Sequence, residues 1–133
     1  MTRTTLVALV GSMALFAFAV TVSAHHSFTS EFDPAKPVTL KGSITKIERI
    51  NPHGWIHMDV KTPDGKVQNW AIETGAPAAL ARQGVGKDAI PIGLEIIVKG
   101  YRAKDGSTTA NGATITLPDG RDFSLGSSFA NAR

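Results

Sequence analysis

Beyond residue 37, apolar and polar residues alternate in short runs separated by Gly, Pro and Asp. That period of two is the pattern of half-buried β-strands. Val38 to Ile50 reads as a long first strand with Val38, Leu40 and Ile44 on one face. Gly42 inside it marks a bend or a close backbone approach. Ile47 and Ile50 break the alternation, which places a bulge near Lys46, and Asn51-Pro52 then punctuates the chain. From Trp55 to Val60 the alternation is clean, with Ile56, Met58 and Val60 to one side and Trp55, His57 and Asp59 to the other. Pro63-Asp64-Gly65 is a hairpin turn, because Pro presets the first corner and Gly accepts the positive φ. Val67 to Thr74 is the return strand, with Trp70 and Ile72 sharing a face.

Gly75 to Gly84 carries the one helix signal, with Pro77 in the first turn and Gly84 at the C-terminal cap. Leu94 to Lys104 is the next strand, followed by a turn at Lys104-Asp105-Gly106 and a strand from Ala113 to Leu117. Pro118-Asp119-Gly120 then turns into a short strand around Phe123. Three strands, a helix and two strands make the OB-fold order, whereas an immunoglobulin-type sandwich wants about seven strands and no internal helix. The expected fold is therefore all-β with one short helix: an OB-fold-like five-stranded barrel over residues 38–125, with an extra C-terminal hairpin. Residues 25–37, HHSFTSEFDPAKP, show no period and read as an N-terminal arm packed by Phe28 and Phe32. Residues 126–133 are small and polar, the composition of a flexible tail.

The first 24 residues read as something other than fold. Arg3 precedes an apolar run from Leu6 to Val20, and Val22-Ser23-Ala24 presents the small residues a signal peptidase reads. This is the layout of a secretory signal, and the run is short for a membrane span. An uncleaved N-terminal anchor is the alternative. Cleavage after Ala24 of the 133-residue chain leaves 109 residues, enough for one core. The chain has no cysteine, so neither disulfides nor a lipidated thiol are available. The expected location is the periplasm or the outside of the cell, with no stable membrane anchor after cleavage. No two Lys or Arg are adjacent, and the formal net charge is only +3. That argues against a nucleic-acid partner.

Four segments, "AHHSF" (24–28), "NPHGW" (51–55), "VKGYRAKDGS" (98–107) and "LPDGR" (117–121), together resemble a bacterial domain-of-unknown-function family. Its members are small exported proteins that start AHHSF after the signal and carry an NPHxW motif after the first strand. The resemblance covers essentially the whole mature chain. It implies an exported, single-domain, barrel-like protein with no established activity, and it carries over no catalytic residues. It places His25, His26 and His53 within motifs and leaves His57 at an ordinary strand position.

The histidines are the main candidate chemistry. If cleavage follows Ala24, His25 offers its α-amine and its imidazole to one ion, and a third nitrogen completes a planar set suited to Cu(II). The arrangement resembles the histidine brace of some secreted copper proteins. His53, beside a Pro turn at the barrel rim, is the natural partner, so the candidate ligands are His25, His26 and His53, with copper ahead of zinc. Trp55 would shelter such a site, and Asn51 would orient a ligand. His53 and His57 lie about 13 Å apart on a regular strand, too far to share an ion unless the chain folds sharply around Gly54. His57 and Asp59 alone are too few for structural zinc, which wants four ligands. The competing reading keeps His25 and His26 on an arm and has His53 hydrogen-bond local backbone. Cleavage after Ala17-Phe18-Ala19 would leave five residues ahead of His25 and remove the amine ligand.

Other chemistry finds little support. Gly84-Val85-Gly86-Lys87-Asp88 lacks the spacing of a phosphate loop and follows a helix instead of opening one. No G-x-S-x-G occurs, and Ser127-Ser128 lies in the tail. Glu48 and Glu73 are placed to approach across the sheet, and an acid–base role for them needs a pocket. The readings that stand are a metal-binding module and a metal-free structural or interaction module of the envelope, its partner an envelope protein or a small ligand. The long first strand offers that partner an edge. An oxidative copper enzyme ranks last, because nothing beyond the histidines supports it.

Overall fold

The computed structural model describes residues 27–127 and 129. A short helix α1 (Ser27–Glu31) runs straight into β1 (Phe32–Glu48). Then come β2 (Trp55–Lys61), β3 (Val67–Glu73), helix α2 (Pro77–Arg82), β4 (Glu95–Ala103), β5 (Thr109–Thr116) and β6 (Asp122–Ser124). β1 pairs antiparallel with β2 and with β4, β2 with β3, and β4 with β5. A parallel pairing of β3 with β5 joins the two ends, so five strands close a ring, and β6 adds to β5 as the extra hairpin. This is the OB-like order with its helix between the third and fourth strands. β1 lies between β2 and β4, paired with β4 up to Ser43 and with β2 from Gly42 onward, so only Gly42 and Ser43 pair on both sides.

The alternation fills the ring as expected. Ile44, Ile56, Met58, Ile72, Ile96, Val98 and Ile115 are almost wholly buried and form one core. Leu80 of α2 joins them, with Val85 and Ile90 from the loop that follows. The register of β1 against β2 slips between Ile44 and Lys46, the bulge that Ile47 and Ile50 forecast. Gly42 is needed because a Cβ there would stand 2.1 Å from the Asp59 carbonyl oxygen.

Two boundaries differ from the pattern. β1 starts at Phe32 rather than Val38, because Phe32 pairs with Ala103 before the register shifts and resumes at Pro37 opposite Tyr101. β5 starts at Thr109 rather than Ala113. Its first three residues form the parallel pairing with Ala71, Ile72 and Glu73, and Asn111-Gly112 in that stretch looks like a breaker in sequence.

The segment read as an arm instead begins as a helix with its own small core. Phe28, Phe32 and Ala103 are buried together, with Tyr101 and Phe129 against them. The Phe28 ring lies 5.7 Å from Phe32, 5.7 Å edge-on to Tyr101 and 5.0 Å from Phe129. A five-residue helix has no stability of its own. These ring contacts, each worth roughly 0.5–1.5 kcal/mol beyond buried area, hold it in place. So does Lys104, whose backbone N–H donates to the Glu31 carbonyl at 2.8 Å and whose ammonium donates to the Thr29 carbonyl. Past β6, Leu125 and Ser127 are buried and Phe129 packs on Tyr101 at 4.9 Å, so the polar segment from Gly126 is held at these positions.

Candidate functional site

The loop from β1 to β2 carries Asn51, His53 and Gly54, and Gly54 fixes its position. Its N–H donates to the Gly75 carbonyl at 3.2 Å, and its carbonyl accepts from the Thr74 N–H at 2.9 Å. A side chain at this position would meet Thr74 Oγ1 at 2.8 Å. The loop is thus stitched to the end of β3, and His53 falls beside Glu73, the last residue of that strand. His53 Nδ1 lies 3.6 Å from Glu73 Oε1, with the imidazole 42% exposed and the carboxylate 10% exposed.

Closure of the ring supplies the next layer. The β3–β5 pairing sets Glu73 opposite Asn111, and Asn111 Nδ2 donates to Glu73 Oε1 at 3.1 Å. Ser127 Oγ donates to Asn111 Oδ1, and the Phe129 N–H donates to Ser127 Oγ at 3.2 Å. Burial pushes the Glu73 carboxyl above its ordinary value, and the neighbouring Glu31 pushes the same way. His53 and the Asn111 hydrogen bond pull against them.

A cavity of about 170 Å³ is lined by Phe28, Glu31, Phe32, His53 and Glu73. A larger groove of about 530 Å³ shares Glu31 and Phe32 with it and is walled by Trp55, Lys104 and Asp105. Trp55 is therefore beside the His53 cavity, in the adjoining groove. Asn51 is exposed and belongs to neither lining. His25 and His26 lie outside the described residues. Among the described residues no group of three or more His, Asp or Glu stands close enough to hold an ion, so His53 and Glu73 are at most part of a centre.

His57 belongs elsewhere, on β2 and beside Glu48 of β1. Its Nε2 lies 3.5 Å from Glu48 Oε2, a contact without hydrogen-bond geometry. Lys46 first and His57 second hold the Glu48 carboxyl below its ordinary value. Glu48 and Glu73 do not approach as an acid–base pair. Trp55 sits between them in register, opposite Glu48 on β1 and Glu73 on β3, which separates their backbones by two strand spacings, about 9.6 Å.

Glu73 and Asn111 are the site residues that sequence reasoning missed in their present roles. The signal for Glu73 was available: a charged residue ending a strand whose Trp70 and Ile72 are core. Asn111 and Ser127 carried none, because their meeting depends on the parallel pairing.

The raised Glu73 carboxyl gives a stability test on metal-free protein. With the folded value above the unfolded one, the protonated form is favoured in the fold. Its contribution is complete below the ordinary glutamate range and is lost as pH rises through the folded value. Urea midpoints of Glu73→Gln relative to the parent should therefore shift upward as pH rises above that range. A difference independent of pH would show that the carboxyl is not perturbed.

Fold and pocket together define a small OB-like β-domain with a half-exposed histidine set on a buried carboxylate. The chain belongs to the family of unknown function DUF6152, which matches residues 13–113. That span takes in His25, His26, His53, Trp55, Glu73 and Asn111 and stops short of Ser127. No curated protein and no solved structure matches the chain. Among the described residues, no helix is long and apolar enough to cross a membrane.

Proposed function

We propose that this is an exported metal-binding module that holds one transition-metal ion, copper ahead of zinc, through His25, His26 and His53. One observation carries the reading: Phe28, two residues after His26, lines the same cavity as His53. With 3.8 Å between successive Cα atoms, residue 26 is within about 7.6 Å of Phe28 in any conformation, and residue 25 within about 11.4 Å. This tether to Phe28 supports a centre that joins the amino-terminal imidazoles to His53, which the fold holds through Gly54 and Glu73. A nitrogen-rich, cysteine-free set with an α-amine favours copper over a four-ligand structural zinc site. Trp55, in the groove that shares Phe32 with the cavity, shelters the approach.

The test is metal titration of exported protein whose intact mass confirms His25 as the first residue. One copper per chain is expected, with His53→Ala binding at least tenfold more weakly, on the scale of losing a supporting residue or more. Equal binding by parent and His53→Ala would reject the site. The metal-free interaction module is then the remaining reading, and co-purification of an envelope partner would be its support.

A further inference from the structure

We infer that Glu73 is the positioning carboxylate of His53: it takes the Nδ1–H, leaves Nε2 for the ion, and is itself oriented by Asn111 and Ser127. The inference rests on His53 being a metal ligand, but its geometry can be tested without metal.

The polarity of the buried chain sets the argument. The Phe129 N–H can only donate, so the Ser127 oxygen accepts from it and sends its own proton to Asn111 Oδ1. An amide whose oxygen is occupied in this way presents its NH₂ to Glu73 Oε1. Turning the amide over would set its oxygen against Glu73 Oε1 and its NH₂ against the Ser127 hydroxyl proton. Three hydrogen bonds therefore run in one direction and end on a carboxylate, which is an acceptor when ionised. Asn111 is 2%, Ser127 3% and Glu73 8% exposed, so water competes little for these contacts, and unmet partners would be costly.

Glu73 Oε1, the atom fixed by Asn111, is also the one facing His53 Nδ1 at 3.6 Å. A carboxylate oxygen facing one ring nitrogen favours the proton on that nitrogen, and the lone pair is then on the other. Metal-bound histidines generally donate the second ring N–H to such a carboxylate, which orients the ring and raises its basicity. The gap is about half an ångström longer than a good hydrogen bond, and the half-exposed imidazole has room to close it when Nε2 is pulled by an ion. Phe28 and Phe32 line the same cavity and restrict the ring from the apolar side.

The experiment is nitrogen-15 NMR of the His53 ring in metal-free protein under mildly alkaline conditions. The expected result is the Nδ1–H tautomer in the parent and a mixed population in Glu73→Gln and in Ser127→Ala. The second variant removes only one hydroxyl, and it serves if the first does not fold. With copper added, Glu73→Gln should bind about tenfold to a hundredfold more weakly with all three histidines intact. A parent ring protonated on Nε2, or a tautomer indifferent to both substitutions, overturns the inference. So does unchanged copper affinity in Glu73→Gln, or a copper spectrum showing a Glu73 oxygen directly on the ion. An Nδ1–H tautomer in a protein that binds no copper would uphold the positioning geometry while removing the metal-binding reading.

Discussion

Gly100→Val is expected to abolish stable folding. Gly100 lies in β4 with Val38 of β1 on one side and Gly112 of β5 on the other. A Cβ at Gly100 would stand 2.2 Å from the Asn111 carbonyl oxygen, 3.0 Å from its carbon and 3.2 Å from the Gly112 Cα. All three are backbone atoms of a paired strand, so no rotamer change relieves the contact. Relief needs β5 to move by roughly an ångström, an overpacking change that costs about 1–3 kcal/mol and occasionally more. The valine branches add more, and a domain of this size holds only about 5–15 kcal/mol in total. The movement would also fall on Asn111, which supports Glu73, so partial folding would still damage the site. Urea denaturation followed by near-ultraviolet circular dichroism is the measurement. Gly86→Ala is the control, because a Cβ there meets nothing within 4 Å and should change stability by less than about 0.5 kcal/mol. A Gly100→Val protein with the parent's midpoint would show that β4 and β5 are not packed in this way.

The same pair of strands explains what the sequence disclosed and what it withheld. Strand faces such as Ile56-Met58 and Trp70-Ile72 were readable because burial follows a period of two, and the Lys46 bulge was readable because Ile47 breaks that period. The helix at Pro77–Arg82 announced itself through Pro at its start and Gly84 at its end. Thr109–Asn111 did not read as strand: its residues are small and polar, and what orders them is the parallel pairing to β3, a contact between segments 38 residues apart. The N-terminal arm was half right. Phe28 and Phe32 signalled burial, but a five-residue helix leaves no periodic trace. Its position depends on Lys104 and Phe129, which sequence alone does not bring near it. The candidate site divides along the same line. His53 stood out by its place in a Pro turn, and the separation of His57 was expected for a regular strand. The Glu73–Asn111–Ser127 support is purely tertiary, so it became visible only with the ring closed.

A single alanine placed ahead of His25 is the second large effect expected, and it separates an amine-anchored copper site from a plain histidine cluster. In the proposed centre the α-amine and the His25 imidazole close one chelate ring on the ion, and His26 and His53 complete the set. The extension leaves all four imidazoles of the chain intact. It converts the amine into an amide and moves the new amine to a residue with no imidazole. The chelate is lost as a unit, which is more than His53→Ala removes, since that variant keeps amine and imidazole together. The expected fall in copper affinity exceeds about a hundredfold, beyond the range seen when only a supporting residue is removed. Competition against a calibrated chelator measures it, and the copper spectrum should lose its tetragonal signature at the same time. His57→Ala should bind as the parent does, because His57 is engaged with Glu48 on the far side of Trp55. Zinc, which needs no amine, should respond far less to the added residue than copper. If the extended protein binds copper as tightly as the parent, the amine is not a ligand. The paired histidines would then act, if at all, through imidazole alone, and leader cleavage after Ala19 would serve the protein as well as cleavage after Ala24.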